Sequence, residues 1–394
     1  MSRHDDSPTT LAIFCKVVDN YGDIGICWRL ARMLRQEHGV AVTLWVDDLR
    51  SFRRIWPAVM EDADAQTVEV VLVRHWRGQD GAWMPEEVAD IVIEFFGVDL
   101  PPAYVAAMAE RAPRPVWINY EGLSAEEWVE GCHTLPSMHP RLKLTKHFFF
   151  PGFTARTGGL LREEGLIAER ERFQADPAAQ AAFLHGLGVR ADEQEALKVS
   201  LFCYPHAPLA ALFAAWAAGG RPLTCLVPEG VAHLQVADFL GGAPVPGAVA
   251  TRGSLTLRVV PFMAQHDYDR LLWACDLNFV RGEDSWVRAQ WAGRPFVWHI
   301  YPQDENLHHV KLRAFLEKTT GDDGHPAALA EFSLRWNGAG DDEAGAGPAD
   351  WPALWTSLQA DLPRLTGHAA AWQARMLANG DLASNLLRFA RSLR

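Results

Sequence analysis

The chain has 394 residues, of which 49% are hydrophobic and 22% charged, and its formal net charge is −12 at pH 7. This composition is typical of a folded globular protein, and the length predicts two domains of about 150–200 residues each. The negative charge argues against nucleic acid as the main partner, and no apolar run reaches the ~20 residues that span a bilayer.

The first half of the chain alternates between apolar strands and helices. Strands are predicted at residues 11–18, 40–46, 68–73, 91–95 and 115–120. An amphipathic helix follows the first strand, with Ile26 and Leu30 on its apolar face and Gly39 as its stop. Farther along, Ser124 and Glu127 have the S-x-x-E spacing of a capping box, which predicts another helix.

A second alternating run begins after the polar stretch 190–195. Its strands are predicted at residues 198–204, 223–227, 255–262, 277–280 and 296–300, and residues 370–394 predict an amphipathic helical tail. Near-continuous apolar strands separated by helices indicate parallel sheets covered on both faces. We therefore expect an α/β chain of two doubly wound domains with a cleft between them. Ligands of such folds bind beyond the carboxyl ends of the strands.

Two acids, Asp19 and Asp23, lie on a glycine-bearing loop directly after the first strand. Carboxylates at this place in an α/β fold favour an active-site role. The alternative is structural, with Asp19 forming an Asx-turn and Asp23 capping the next helix. The residues alone give the two interpretations equal weight. A nicotinamide-cofactor loop is excluded, because G-x-G-x-x-G is absent and acids would repel a pyrophosphate.

The turn at residues 281–285 connects the strand 277–280 to a helix that is expected to end at Gly293. A helix N-terminus offers unpaired N–H groups and the positive end of a dipole, which suit a phosphate. An ordinary connection capped by Asp284 or Ser285 is the alternative, but it leaves Arg281 and Glu283 unexplained. We favour a functional turn that faces a phosphate and a cationic or hydroxylated group.

Aromatic and amide side chains gather at predicted strand ends in the second domain. They are Phe202, Tyr204, Phe262, Gln265 and Tyr268. Core packing is the usual role of aromatic residues. Their position nevertheless favours a stacking platform for a flat base, which would form a nucleotide pocket together with the turn at 281–285.

Neither a metal site nor a disulfide is expected. His308 and His309 are adjacent, so their side chains point apart, and no H-x-x-x-H spacing accompanies them. The six cysteines are scattered without a C-x-x-C pair, as reduced core residues are. Residues 1–6 lack the apolar segment of a signal peptide. The expected location is the cytoplasm.

Together these segments resemble the EarP family of arginine rhamnosyltransferases, which modify elongation factor P. The matching stretches are residues 13–25, 281–285 and 298–306, with Gly158-Gly159-Leu160 after Phe148-Phe149-Phe150. They follow one another along essentially the whole chain. The resemblance implies a GT-B glycosyltransferase fold, in which two Rossmann-like domains face one another and a helix closes the chain.

The resemblance also implies a division of the chain and an activity. Residues 1–188, joined by a C-terminal helix at 366–394, would form the acceptor-side domain, and residues 189–365 the nucleotide-sugar-binding domain. The reaction would be an inverting transfer of L-rhamnose from dTDP-β-L-rhamnose to one arginine of elongation factor P. No cofactor, metal, nucleic acid or membrane is implied.

Carried over residue by residue, the resemblance makes Asp23 the catalytic base or orienting carboxylate, and Asp19 and Glu283 further essential acids. Acids of both domains would then act on one guanidinium. The implied donor-binding residues are Phe202, Tyr204, Phe262, Gln265, Tyr268, Glu283, Asp284, Ser285 and Tyr301.

Two other functions stay open. One is a different nucleotide-sugar enzyme of the same architecture, either an envelope glycosyltransferase or an epimerase. The other is a non-catalytic module that only recognises elongation factor P, against which the presence of all three acids weighs.

Overall fold

A computed structural model of the chain describes residues 8–19, 21–78, 81–320, 326–339 and 348–394. The strands are β1 (Thr10–Cys15), β2 (Ala41–Val46), β3 (Ala65–Val68), β4 (Val71–His75), β5 (Ile91–Phe95), β6 (Val116–Tyr120), β7 (Pro136–Met138), β8 (Thr145–Phe149), β9 (Leu197–Leu201), β10 (Leu223–Pro228), β11 (Val249–Arg252), β12 (Leu255–Val260), β13 (Leu277–Arg281) and β14 (Phe296–His299). The helices are α1 (Gly22–Gln36), α2 (Leu49–Ile55), α3 (Pro102–Glu110), α4 (Trp128–Cys132), α5 (Leu166–Gln174), α6 (Pro177–Gly186), α7 (Ala191–Glu195), α8 (Leu209–Ala218), α9 (His233–Leu240), α10 (Gln265–Ala274), α11 (Asp284–Ala292), α12 (Leu307–Thr319), α13 (Ala327–Trp336), α14 (Trp351–Leu377) and α15 (Leu382–Ser392). Asn20 of the matching stretch 13–25 and the N-terminal residues 1–6 lie outside the described residues.

The chain divides by its contacts into two compact units, each with its own sheet. The first unit comprises residues 1–164 and 376–394, and the second comprises residues 165–375. Helices α5 and α6, which precede residue 188, contact α10 of the second unit. The predicted α/β class, with two mainly parallel sheets, is confirmed. Among the described residues, no helix combines the length and the apolar character that crossing a bilayer requires.

The sheet of the first unit has the strand order β3-β4-β2-β1-β5-β6-β8-β7. Its strands are parallel except at the two edges, where β3 and β7 run antiparallel to their neighbours. Strand β1 is central, with Ile13 in register with Leu44 of β2 and Ile93 of β5. It is buried from Leu11 onward, as expected for a parallel strand covered by helices on both faces.

The sheet of the second unit has the order β11-β12-β10-β9-β13-β14, with only β11 antiparallel. Apolar side chains fill both of its faces. One cluster joins Trp216 of α8 and Trp336 of α13 to the strands, and another joins Leu184 of α6 and Leu271 of α10. The strands of this unit therefore end between two helical layers, and the residues that follow them emerge at one edge.

Several sequence predictions about single elements are wrong. The predicted strand at 68–73 is two strands, because Glu69 adopts a left-handed conformation (φ +51°) and β3 pairs back on β4. The expected capping box at Ser124 is absent, since its Oγ donates to the Glu126 carboxylate and the helix begins only at Trp128. The predicted tail at 370–394 is helical as expected, but it is divided into the end of α14 and the separate helix α15. Short edge strands β7 and β11 were not predicted, because three or four residues carry too little pattern.

The turn between β11 and β12 requires a glycine. Gly253 has φ +55°, and a Cβ atom there would lie 2.1 Å from the carbonyl oxygen of Ala217. Gly247 is also left-handed (φ +88°) but has no atom within 4 Å of the same position. We predict that Gly253→Ala lowers the free energy of unfolding more than Gly247→Ala, which should cost only the ~1–2 kcal/mol of left-handed backbone strain. Urea denaturation of both variants tests this, and equal losses would contradict the assigned clash.

Candidate active site

Asp23 lies in the first turn of α1 and binds the loop that precedes the helix. Its Oδ2 atom accepts the backbone N–H groups of Val18 (2.7 Å) and Asp19 (2.8 Å). Tyr21 is the N-cap residue of α1, and no side chain caps that helix. The structural alternative considered from sequence, Asp23 as a helix cap, is therefore wrong, because the carboxylate closes the β1–α1 loop instead.

Asp23 is buried, with 6% of the residue exposed. Burial raises its pKa above the ordinary aspartate range, the two backbone N–H groups act in the opposite direction, and the carboxylates of Asp19 and Asp47 raise it further. Within the described part of the chain, its second oxygen, Oδ1, accepts no hydrogen bond. This arrangement fixes one oxygen and leaves the other available to a proton donor.

The rest of the β1–α1 loop is held from two sides. The Gly22 N–H donates to the Asp19 carbonyl (2.8 Å), and Asp47, which directly follows β2, accepts the Val17 N–H through Oδ1 (2.9 Å). A Cβ atom on Gly22 would lie 3.3 Å from Oδ2 of Asp19, so glycine lets that carboxylate lie over the start of α1. Asp19 and Asp23 are thus neighbours at the carboxyl end of β1.

The turn at 281–285 in the second unit is closed by its own side chain and backbone. Gly282 adopts φ +57°, and the Ser285 hydroxyl accepts the Arg281 N–H (3.0 Å) while it donates to the Arg281 carbonyl. Helix α11 begins at Asp284, with Glu283 as an N-cap residue that makes no side-chain cap, and it ends at Gly293 as predicted. The first-turn N–H groups of a helix have no partner within the helix itself, which makes this turn a candidate anion site.

Two tryptophans support this turn from behind. The Trp298 Nε1–H of β14 donates to the Gly282 carbonyl at 2.9 Å. The same ring stacks on Trp286 of α11, with centroids 3.5 Å apart and planes 7° apart. The turn is consequently attached to both the helix that follows it and the neighbouring strand.

One cluster around Arg281 contains four of the predicted aromatic residues, Phe202, Tyr204, Tyr268 and Tyr301. The Arg281 guanidinium lies 4.6 Å from the ring centroid of Phe202 and 4.7 Å from that of Tyr204. Phe202 contacts Tyr268 (5.6 Å between centroids), and Tyr204 contacts Tyr301 (5.5 Å). The side chain of Tyr301 is exposed. The cluster surrounds a permanent cation with aromatic rings, a combination of groups that suits a base and a phosphate.

Helices α10 and α11 are joined near their first turns. Gln265, the first residue of α10, donates from Nε2 to Oδ2 of Asp284 at 3.3 Å. Deeper in the unit, Arg288 of α11 binds Asp269 of α10 in a bidentate pair (2.9 and 2.8 Å), and both side chains are buried. This pair sets the position of one helix relative to the other.

The remaining predicted residues are placed as follows. Phe262 is half-buried in the segment that follows β12. His308 Nδ1 accepts the Gln303 N–H (3.3 Å), and His309 Nε2 lies 2.8 Å from the Asn337 carbonyl. In the described portion, no group of three or more His, Cys, Asp or Glu is arranged to hold a metal ion.

The structure therefore brings Asp19 and Asp23 together in the first unit, and Glu283, Asp284, Ser285 and the aromatic cluster together in the second. Sequence reasoning missed the role of Arg281 in the cluster and the support that Asp47 gives to the loop. Asp47 could have been found, because it directly follows a strand beside β1. The Arg288–Asp269 pair has no sequence signal, since it depends on how two helices pack.

Comparison with known proteins gives consistent matches. Residues 11–391 match the model of a family described as Elongation-Factor P (EF-P) rhamnosyltransferase EarP. A protein-arginine rhamnosyltransferase of Pseudomonas putida is 50% identical over 386 residues, which cover 97% of this chain and 99% of the relative. Another of that name, from Pseudomonas aeruginosa, is 49% identical over 382 residues, covering 96% of this chain and 97% of the relative.

Two solved structures resemble this chain over almost its whole length. One described as the structural basis for EarP-mediated arginine glycosylation of translation elongation factor EF-P matches with a TM-score of 0.65 and 37% identity, over 97% of this chain and 99% of the other. The spinosyn rhamnosyltransferase SpnG matches with a TM-score of 0.54 and 11% identity, over 97% of this chain and 100% of the other. At that identity the second match shows a shared fold only.

Proposed function

Because the chain belongs to the EarP family of elongation factor P (EF-P) rhamnosyltransferases, we propose that it transfers L-rhamnose from dTDP-β-L-rhamnose to an arginine side chain of EF-P, with inversion. The resemblance inferred from sequence motifs is confirmed by the family match and by relatives at about 50% identity. The observation that carries the mechanism is the Asp23 carboxylate, which is buried, anchored through Oδ2 and available through Oδ1.

An arginine acceptor explains why a carboxylate is needed. A guanidinium is a poor nucleophile, because its pKa above 12 keeps it charged and its lone pairs delocalised. Attack on an anomeric carbon requires electron density on one nitrogen. A carboxylate that accepts the N–H of that nitrogen orients it and takes up the proton as the C–N bond forms.

In this proposal Asp23 is that base and Asp19 is a second acid that binds the remaining N–H groups of the guanidinium. Glu283 is a third essential acid. The raised pKa of Asp23 favours the role, since a carboxyl group that holds a proton more tightly is a stronger base. Complete deprotonation of the guanidinium before attack is not required, because proton transfer accompanies or follows bond formation.

The second unit would hold the donor. Its base would stack on Phe262 and on the cluster of Phe202, Tyr204 and Tyr268. Its diphosphate would meet the first-turn N–H groups of α11. Arg281 would supply a permanent positive charge as the diphosphate departs. These groups provide the leaving-group stabilisation within the chain, so the proposal includes neither a cofactor nor a metal.

Inversion follows from a single displacement. The acceptor nitrogen attacks the anomeric carbon from the side opposite to the departing diphosphate, and no enzyme-bound sugar intermediate forms. One C–N bond is made, one C–O bond breaks, the proton goes to Asp23 and dTDP leaves. A different nucleotide-sugar reaction would put no deoxyhexose on EF-P, and a binding module would consume no donor.

We predict that Asp23→Asn lowers the rate of rhamnose transfer by ~10²–10⁴-fold, the usual contribution of a general base. Donor affinity should stay within a few-fold, since Asp23 belongs to the first unit. Intact-mass spectrometry of EF-P after incubation with dTDP-rhamnose measures the transfer, and calorimetry measures donor binding. Asp48→Asn is the matched control, because Asp48 caps α2 in the same unit.

The pH dependence of wild-type transfer gives a second readout of the same residue. The base acts in its deprotonated form, so kcat/KM should fall as the pH drops through the pKa of Asp23. Because burial raises that pKa, the acid limb should lie above the ~3.9 of an ordinary aspartate. Wild-type rates in Asp23→Asn, or an acid limb at the ordinary value, would contradict the assignment.

Phe262→Ala should weaken binding of dTDP-rhamnose by about tenfold, since stacking on a base is worth ~1–3 kcal/mol. Phe183→Ala serves as a control, because Phe183 is also half-buried in the second unit but packs on Phe173. Calorimetry compares the two variants. An unchanged donor affinity in Phe262→Ala would remove this residue from the pocket.

Arg288→Met should raise the KM for the donor, because it frees α11 from α10 at the proposed diphosphate site. The matched control is Arg258→Met, which breaks another buried bidentate pair of the second unit, with Glu193 (3.0 and 2.7 Å). Loss of either buried ion pair should lower the free energy of unfolding by about 3–5 kcal/mol. Steady-state kinetics at a temperature where both variants stay folded should show the larger KM only for Arg288→Met, and equal KM values would refute the positioning role.

A further inference from the structure

A second candidate binding site lies in the first unit, at the end of the sheet opposite to Asp19 and Asp23. It is a cavity of about 630 Å³ at the amino ends of β6 and β8, where Val116 and Thr145 line it. That volume falls within the range of small-molecule sites, ~300–1,000 Å³. Strands β1, β6 and β8 run in the same direction, so the carboxyl end of β1 lies opposite to the amino ends of β6 and β8. This cavity is therefore separate from the proposed acceptor residues.

The cavity is strongly basic. Four basic side chains line it, namely Arg111, Arg114, Lys143 and Arg394, against one acidic side chain, that of Asp90. The chain as a whole has 49 acidic and 37 basic residues. The cavity lining is therefore positively charged although the chain as a whole is negatively charged.

Asp90 is already occupied by protein groups. It accepts the Thr10 N–H (2.9 Å) and the Arg111 guanidinium (2.7 Å), and Arg394 lies 3.3 Å from it. These contacts lower the pKa of Asp90 to about 2, so it stays ionised. One carboxylate shared by two arginines neutralises only part of the local charge.

Arg114 and Lys143 are the surplus cations. Both side chains are exposed, and neither makes a hydrogen bond or an ion pair with any described residue. Like charges that converge on a concave surface repel one another, and a bound anion relieves that repulsion. Leu144 and Pro115 add an apolar wall beside the charges.

We propose that this cavity binds a small metabolite through its phosphoryl groups. Guanidinium groups match phosphate oxygens bidentately, and an ammonium group adds a mobile point charge. The apolar wall would take the organic part of the ligand. The site is independent of the rhamnosyltransferase reaction, because it shares no residue with the proposed base, acids or donor pocket.

Titration of the whole chain with inorganic pyrophosphate tests the proposal. Calorimetry in about 0.1 M salt compares the wild type with Arg114→Ala/Lys143→Ala and with the control Arg50→Ala/Arg172→Ala. The control removes the same charge from two exposed positions outside the cavity. Pyrophosphate that enters the donor pocket contributes equally in all three proteins, so a difference between them reports this cavity.

We expect the cavity variant to bind pyrophosphate at least tenfold more weakly than the wild type, and the control to match the wild type. Equal affinity in the wild type and the cavity variant would overturn the proposal. An equal loss in the control would also overturn it, since net charge alone would then explain the binding. Citrate, an anion with carboxylates only, should bind more weakly than pyrophosphate, and equal affinity would overturn the assignment to phosphoryl groups.

Discussion

Parallel strand pairing is the constraint on which the candidate residues depend. In the second unit, β13 lies between β9 and β14, so the residues that end or follow these strands meet at one edge. Phe202, Arg281 and Tyr301 come from three distant parts of the sequence and lie in one cluster for this reason. The same rule places Asp47 beside the loop that carries Asp19 and Asp23.

The surroundings of Asp23 have opposing effects on the ionised form of its buried carboxylate. Burial alone would favour the protonated form, and two backbone N–H groups compensate by binding Oδ2. Both N–H groups belong to residues that precede α1, so these hydrogen bonds take no donor from the helix. Oδ2 has the structural role of holding the loop, and the proposed mechanism assigns the proton to Oδ1 of the same side chain.

Much of this organisation was predictable from sequence, since long apolar strands and the glycine stop at Gly293 are local signals. The acids at 19, 23 and 283 and the aromatic residues were selected as candidates because they follow such strands. Packing was not predictable. The division of 68–73 into two strands depends on the backbone of Glu69, and the Arg288–Asp269 pair depends on which faces of two helices meet. The pattern of residues in a single sequence predicts neither the backbone conformation of Glu69 nor the contact between those helix faces.

The first unit is discontinuous, and this has a consequence for biosynthesis. Its closing helix, α15, packs on α1 and is attached to the segment before the second unit, where Leu382 N–H donates to Leu160 and Asn385 donates to Gly158. The ribosome synthesises these residues after all of residues 165–375. The first 164 residues thus leave the exit tunnel with the contact surface for α15 uncovered. All six strands of the second unit are synthesised before α15. Its sheet can therefore form while the first unit still lacks α15.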